Sequence, residues 1–559
     1  MKTRLKILFL MLFTGLFIGP NLTVSAAPTK KAKKAPFVAK KLSPKKPQKS
    51  VQKKPSPAVS ADFRFAQLKQ KYRLGDIDNK TMWSNLSSLE GVWQSLSPDK
   101  RVNLLQTQAR LLYDDDYPIL AAIYSAQTIK TSKTPLDQDL LPSWKILWEV
   151  SQKRPIQGIL STLAGDLSLG GEPAPSFGTG WFYFIGSNAE SKNDLESALD
   201  AYARVNLTDR HFFPAKYQRA MIFVDQNKIQ DAEASLDAIL FPTSLEMSAL
   251  QGKSKSEMVN YARIALARLY YEKRDFMNAI KMYRLIDRES PLFYDSLFEQ
   301  SWAFFMGGYP NHALGAIHSV ESPFFKDQFN PEASLLKAIT HYWLCRYDDS
   351  RAALADFMEK HASGVESLEG FLDRRRLGPD TAFRLFEDVL ADVSSESLGI
   401  PRNILLSAAE KDSMLLVRDQ YASILNEKYK LKNRGIYGSR TAIDRPSDYL
   451  DRLTDSLKVE LGTRYLTELK IMKSEFERLY SQAQFLYVEL LMSEKERLLG
   501  KDLHASSKMT KISTQQNIKG WGRGTQSWAT SDKNEFWWDE IGFYIFNVKP
   551  MCAASSVGN

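Results

Sequence analysis

The chain of 559 residues is long enough for two to four domains, and its composition, 43% hydrophobic and 25% charged, is typical of a soluble protein. Fourteen basic residues and no acidic residue precede residue 61. Because the total charge is +10, residues 61–559 carry a net charge of −4. This mildly acidic body argues against a nucleic-acid-binding protein.

Residues 1–26 have the pattern of a secretory signal peptide. Lys2, Arg4 and Lys6 precede an apolar run from Ile7 to Ile18, and small residues end the segment at Ala26. We expect cleavage after Ala26 and export to the periplasm, with outer-membrane association as a further expectation. The alternative is an uncleaved anchor helix, but the run is short for a ~30 Å hydrocarbon core. No later stretch is apolar for long enough to predict a membrane span in the mature chain.

Residues 27–60 contain eleven Lys and six Pro and no acidic residue. Such a segment buries too little apolar surface to offset its ordering entropy, so we expect a disordered tether. Two roles stay open for it. The tether would contact anionic lipid, peptidoglycan or an acidic protein, or it would be a solvated spacer.

Residues 61–170 read as helical with a weak repeat signal. Ala109 and Ala121 stand twelve positions apart, and a polar turn before Pro118 separates them. This spacing indicates a degenerate additional repeat.

Four columns of residues organise the stretch 180–361. Small residues recur at gaps of 34, 47, 34 and 37 positions: Ala198, Ala232, Ala279, Ala313 and Ser350. Another small residue stands twelve positions before each: Gly186, Ala220, Ala267, Ser301 and Ala338. Larger apolar residues stand four positions after each: Tyr202, Leu236, Tyr283, Ile317 and Leu354. Others stand seven positions after: Val205, Ile239, Ile286, Val320 and Phe357.

The columns predict stacked helical hairpins. Small residues twelve apart let two helices approach closely, and large residues four and seven positions further on lie on one helix face. Because one hairpin cannot bury its own apolar face, each must stack on a neighbour. The 47-residue gap indicates one repeat with a loop insertion at about 241–253.

The turn from Arg274 to Ala279, followed by Ile280 and Tyr283, resembles the inter-helix signature of the tetratricopeptide repeat. Looser versions occupy 308–313 and 346–350. The resemblance implies an all-α solenoid whose concave surface binds a partner. We expect that groove on the first helix of the third and fourth hairpins. The candidate residues are Tyr261, Ile264, Arg268, Tyr271, Asp295, Phe298, Trp302 and Phe305.

Additional helices are predicted in 362–440, including a short one at Leu368–Leu372 and another over Leu405–Ile424. An amphipathic pattern then covers 445–500. Three interpretations stay open for it: a coiled coil that dimerises or docks a partner, a long helix packed along the array, or a hairpin broken near Gly462.

Residues 501–559 comprise a polar loop and an aromatic segment from Phe536 to Phe546. We expect this segment to be a strap that seals the end or the concave side of the array. The alternative is an exposed patch for a partner or for glycan stacking. Together with the fourth and fifth hairpins, the segment resembles exported repeat proteins of delta-proteobacterial type, some of which serve gliding machinery. Cys345 and Cys552 are a candidate disulfide, and pairing and non-pairing stay open.

The residues favour binding over catalysis. None of the six His forms a zincin-type pair with Glu, two Cys exclude a thiolate zinc site, and no nucleophile elbow or phosphate loop is present. We therefore predict no cofactor, no metal site and no catalytic residue. The predicted function is a cell-envelope scaffold for other envelope proteins. The alternatives are a helical lytic transglycosylase, faintly suggested by Glu366-Ser367, and a rod that forms a homodimer through the long helix.

Overall fold

The computed structural model describes residues 57–90, 92–167, 171–242, 253–373, 377–393, 399–440, 443–499, 528–529 and 536–552. The predicted signal peptide, most of the tether, most of the 241–253 insertion and the loop before Trp528 lie outside these residues. The described residues are 75% helical, which confirms the predicted all-α fold. The first helix begins at Pro57, so the last four residues assigned to the tether are helical.

Within the described residues, six helices precede the hairpin region: α1 Pro57–Leu74, α2 Asn79–Glu90, α3 Pro98–Asp114, α4 Pro118–Thr131, α5 Leu141–Ser151 and α6 Gln157–Asp166. Five hairpins follow: α7 Trp181–Ser191 with α8 Leu195–Ala203, α9 Phe212–Asp225 with α10 Ile229–Leu240, α11 Lys253–Glu272 with α12 Phe276–Arg284, α13 Phe293–Met306 with α14 Pro310–Val320, and α15 Pro331–Trp343 with α16 Tyr347–Leu372. Short 3₁₀ turns lie at Trp93–Ser95, Gln138–Leu140 and Pro323–Phe325.

Every residue of the four columns is buried, as the spacing predicts. The small residues mark where paired helices cross. The Ser350 hydroxyl donates to the Ala338 carbonyl at 2.8 Å, which joins two of the columns directly. At Gly186, a Cβ would lie 2.6 Å from the Tyr202 ring, so only glycine admits that ring.

A left-handed residue ends the first helix of each hairpin: Asn193, Asn227, Arg274, Gly308 and Cys345. In each case the next amide donates to the carbonyl five residues earlier, at 2.8–3.0 Å, which is the Schellman arrangement. Asp116 has the same conformation and bonding between α3 and α4. The degenerate unit expected at Ala109 and Ala121 is therefore a hairpin of the same kind.

Four further helices of the described residues follow the hairpins: α17 Pro379–Leu390, α18 Arg402–Ala409, α19 Asp412–Arg434 and α20 Asp444–Leu498. The helix boundaries in this region differ in part from those that the sequence predicts. The helix expected at Leu368–Leu372 is the end of α16, so the boundary at 361 falls inside a helix. The helix expected over Leu405–Ile424 is two helices, α18 and α19.

Helix α20 runs without a break for 55 residues. Gly462 is not a break. A Cβ there would lie 1.9 Å from the Pro379 carbonyl oxygen, so the glycine admits the start of α17 against α20. Helices α15 to α19 all pack on α20.

The helices pack in a circuit that closes on itself. A single apolar core unites residues between 61 and 184 with residues between 368 and 472. We call the polar contacts between α3–α4 and the end of α19 the closure seam. There Tyr117 donates to the Gly435 carbonyl at 2.5 Å, and Glu427 accepts from the Ile119 and Leu120 amides at 2.9 and 2.7 Å. Asp115 accepts from the Tyr437 amide at 2.6 Å.

Candidate functional site

The inner face consists of hairpin side chains that interact electrostatically with the start of α19 and with α20. It comprises Tyr217, Tyr261, Arg268, Asp295 and Glu332, opposite Lys411, Asp412, Glu475 and Arg478. Burial raises the pKa of Tyr261 to about 12, and the charge of Asp412 adds to this shift. The first helices of the hairpins therefore lie close enough to the start of α19 and to α20 for their charges to interact.

Arg268 of the inner face forms an ion pair with Glu299. The Arg268 guanidinium donates from Nε and Nη2 to the two Glu299 oxygens at 2.9 and 2.6 Å. The hydroxyl of Tyr283, a column residue, donates to Glu299 Oε2 at 2.9 Å. This two-point geometry fixes Arg268 on α11 against α13 and connects the inner face to the packed columns.

Asp295 is solvent-accessible, yet it sits among many protein atoms. Burial raises its pKa to about 6, the charge of Glu299 adds to the shift, and Lys411 and Arg268 oppose it. Asp412 and Glu475 are also accessible, and burial raises the pKa of both.

Glu332 extends the inner face to the fifth hairpin. Burial raises the pKa of this carboxyl to about 7, Arg478 opposes the shift, and Glu475 adds to it. Both of the latter residues lie on α20. The long helix therefore lies near the inner face at the fifth hairpin.

The structure separates the eight candidate groove residues into three groups. Tyr261, Arg268 and Asp295 lie on the inner face. Tyr271, Phe298 and Phe305 are partly buried against the core of the fourth and fifth hairpins. Ile264 and Trp302 are core residues, only 2% and 6% exposed, and this corrects their assignment to an open groove. The correction has a simple cause, since a first helix packs on neighbours at both flanks and leaves only a narrow accessible stripe.

Sequence reasoning missed Tyr217 and Glu332 on the inner face and all four residues opposite it. Lys411, Asp412, Glu475 and Arg478 follow the repeat region, on helices that carry no period. No local signal in the sequence places them opposite Arg268, because the closed packing brings them there. Glu332 follows Pro331 in the first turn of α15.

The aromatic strap lies on α14, the second helix of the fourth hairpin. Asn311 bonds both backbone groups of Val548, and the Gly542 amide donates to Ser319 at 2.9 Å. His318 stacks on Phe536 with ring centroids 4.4 Å apart. The strap therefore packs on the array, at the second helix of the fourth hairpin. Every residue of α14 except Asn311 is buried, because the strap covers the face that the neighbouring helices leave open.

Two further contacts hold the strap. The Arg288 guanidinium donates to the carbonyls of Trp538 and Asp539 at 2.6 and 2.8 Å. Cys345 and Cys552, for which the sequence left pairing open, form a disulfide with Cα atoms 5.0 Å apart. In the strap, Tyr544–Ile545 pairs in parallel with Trp528–Ala529 as a two-residue ladder.

The remaining polar candidates have ordinary surroundings. Glu366 is exposed in the middle of α16, and the Ser367 hydroxyl donates to the Ser363 carbonyl at 3.0 Å. Within the described ranges, no group of three or more His, Cys, Asp or Glu side chains is arranged to hold a metal ion.

No protein-family model matches the chain, and no curated protein matches it at a significant level. Among the helices that the structure describes, none combines the length and the apolar character that crossing a membrane requires.

Proposed function

We propose that this chain is a non-catalytic scaffold of the cell envelope, exported to the periplasm, whose tetratricopeptide-like hairpins hold a partner protein on the inner face. The signal-peptide pattern supports export. The five-row column pattern supports the repeat type, and the resemblance to exported delta-proteobacterial repeat proteins supports a role in an envelope assembly such as gliding machinery.

One observation carries the proposal: Asp295, Asp412 and Glu475 come from three different helices, are exposed to solvent, and share charged neighbours. Burial raises the pKa of Asp295, Asp412 and Glu475, so each is less stable ionised in the folded protein than in water. A protein selected for stability alone would not need these carboxylates. Accessible ionisable groups that lie close together and have perturbed pKa values are typical of binding sites.

The test is retention of envelope proteins by the tagged mature chain. We expect a partner that the wild-type chain retains and that the double variant Asp295→Asn and Asp412→Asn loses. Because both side chains are exposed, we expect the variant to unfold at about the same temperature as the wild type. Loss of binding without loss of stability distinguishes a binding role from a structural one.

The matched control is Asp348→Asn with Asp419→Asn, two carboxylates with 85% and 66% exposed side chains outside the inner face. This control should retain the partner. Equal retention by both double variants would contradict the inner-face proposal. Clearing of a murein zymogram by the purified chain would contradict the non-catalytic proposal.

A further inference from the structure

The inner face and the residues opposite it carry more acid than base. Five carboxylates interact there with three cations, which leaves two negative charges in excess. The carboxylates are Asp295, Glu299, Glu332, Asp412 and Glu475, and the cations are Arg268, Lys411 and Arg478. The pairing of Arg268 with Glu299 leaves two cations for the other four carboxylates.

Lys411 is a charged neighbour common to three of these carboxylates. Burial raises the pKa of Asp295, Asp412 and Glu475, and the charge of Lys411 opposes that shift in all three. All four side chains are exposed. One ammonium group therefore does not balance the three carboxylates, and a further one would stabilise their ionised forms.

A buried amide on α20 lies on the same helix face as two of these charged groups. Gln482 follows Arg478 by four positions and Glu475 by seven, so the three side chains share one face. Gln482 is only 7% exposed, and neither its amide nitrogen nor its amide oxygen has a hydrogen-bond partner among the described residues. Because buried polar groups normally have partners, this amide indicates a ligand that donates and accepts hydrogen bonds.

Two tyrosine rings border the same charges. Tyr217 and Tyr261 meet edge to face with ring centroids 5.9 Å apart, and both are partly exposed. The charge of Asp412 acts on both hydroxyls. Ring faces attract cations within about 6 Å, so an ammonium group near Asp412 would gain from the rings as well. The carboxylates, the amide and the rings together favour a segment that carries amines.

The most basic segment of this chain directly precedes the first helix. Residues 27–56, which lie outside the described residues, contain eleven Lys and no acidic residue. They lead into Pro57, where α1 begins. An extended chain of this length spans up to about 100 Å.

The described contacts limit the distance from α1 to the inner face. Asp62 in α1 accepts from the Ser97 amide at 3.1 Å. From there α3 runs about 25 Å to the closure seam, and α19 runs about 34 Å from the seam to Asp412. The straight distance is shorter than this path of about 70 Å, so lysines as early as Lys30 reach Asp412 within one molecule.

We infer that residues 27–56 occupy the inner face of the same molecule, where their ammonium groups pair with Asp295, Asp412 and Glu475. The inference rests on the inner face as the binding site of the proposed function and adds its regulation, because a partner must displace this segment before it binds. Charge and reach select the occupant. Exposed ion pairs are weak and are screened by salt, so the contact is displaceable.

The first experiment is limited digestion of the mature chain by trypsin in low salt, with the release of peptides from residues 27–56 followed by mass spectrometry. Trypsin must bind a Lys side chain to cleave beside it, so paired lysines are withheld. At an effective concentration of about 1 mM and a Kd of similar size, half of the molecules are occupied. We therefore expect release to be about twofold slower for the wild type than for Asp295→Asn with Asp412→Asn.

The matched control is Asp348→Asn with Asp419→Asn, which removes the same charge at exposed positions outside the inner face. This control should match the wild type, and about 1 M NaCl should abolish the difference between the wild type and the inner-face variant. Unchanged melting shows that the inner-face variant is folded. Equal release from the wild type and that variant overturns the inference.

A second experiment locates the contact. A carbodiimide joins a Lys amine directly to a carboxylate that it touches, and we expect links from residues 27–56 to Asp295, Asp412 and Glu475. Links spread evenly over exposed carboxylates such as Asp348 and Asp419 overturn the inference. In an equal mixture of isotope-labelled and unlabelled chains, links between the two kinds of chain would overturn the arrangement within one molecule.

The inference and the proposed function fail separately. Retention of an envelope protein by the wild type, together with equal peptide release from the wild type and the inner-face variant, keeps the proposed function and overturns the inference. Slower release from the wild type without any retained protein keeps the inference and removes the support for a partner.

Discussion

At the residue scale, the hairpins depend on a few positions with unusual backbone. Four of the five turn residues that end the first helices are not glycine, and their left-handed conformation costs roughly 1–2 kcal/mol each in L-residues other than glycine. Asn tolerates it best, through local hydrogen bonding. Arg274 has neither that side chain nor the freedom of glycine, and its φ is 62°.

Arg274→Gly should therefore stabilise the protein. The gain in the folded state is partly offset by the larger conformational entropy of glycine in the unfolded chain, which leaves about 0.5–1 kcal/mol. The measurement is the urea midpoint. The control is Gly308→Ala at the same position of the next hairpin, which should destabilise by about 1 kcal/mol. A lower midpoint for Arg274→Gly would refute the role assigned to this turn.

The sequence predicted which column residues are buried between the two helices of a hairpin. It did not predict which residues of the first helices stay accessible. The columns follow from the contact between two helices of one hairpin, which recurs at a fixed spacing. Ile264 and Trp302 were assigned to a groove by helical spacing alone. Their burial depends on how neighbouring hairpins are rotated about each other, and no single helix encodes that rotation.

At the element scale, α14 is organised to receive the strap. A Cβ at Gly315 would lie 1.8 Å from the Tyr544 carbonyl oxygen, so the strap backbone touches the helix backbone. The helix itself is apolar or small on most sides, which suits an element covered all around. The strap and α14 therefore depend on each other.

Gly315→Ala should displace the strap. Overpacking of this kind costs about 1–3 kcal/mol, and we expect the Cys345–Cys552 disulfide to be reduced faster by dithiothreitol, as followed by thiol alkylation. Gly370→Ala is the matched control: it lies in α16 with open space around it and should be neutral or stabilising. Equal reduction rates in the two variants would show that close approach at Gly315 does not hold the strap.

The sequence indicated that the aromatic segment must be covered, but not by what. The excess of aromatic residues predicts burial, whereas the face that receives them depends on the disulfide and on Arg288, which are distant in the chain. The 55-residue α20 illustrates the same limit. Its period predicted a helix, while the role of Gly462 became visible only beside Pro379.

At the scale of the whole molecule, the closure seam joins the first and last thirds of the described chain. Glu427 caps the start of α4 from another helix, in a site that is almost fully buried. Burial raises the pKa of this carboxyl to about 7, and the two backbone amides, Lys430 and Arg154 oppose the shift.

Acidification should therefore stabilise the closed fold through Glu427. The folded state binds this proton more tightly than the unfolded chain, whose glutamates titrate near about 4.3. The contribution is fully present below that value and is lost as the pH rises through about 7. Its slope is at most about 1.4 kcal/mol per pH unit.

Glu427→Gln removes the titration and should flatten the dependence of the unfolding free energy on pH between about 5 and 8. The measurement is urea unfolding at several pH values in that range. Asp295 and Glu332 keep part of the dependence in the variant, because burial raises their pKa too. Superimposable curves for variant and wild type would mean that Glu427 is not desolvated in the seam.

The closure seam leaves no trace in the sequence. A repeated sequence pattern predicts contacts between neighbouring repeats. Tyr117 and Gly435 are 318 residues apart, and no common sequence pattern links them. The all-α class and the hairpins were therefore predictable, and the circuit was not.

The 318-residue separation between Tyr117 and Gly435 has a consequence during synthesis. A ribosome adds roughly 5–20 residues per second, so the first helices wait on the order of 15–60 s for the segment that completes their core. During that interval the nascent chain exposes apolar surface that a holdase chaperone must cover. A premature stop codon before residue 431 would thus remove the later helices and would also leave α3 and α4 without the residues that complete their core.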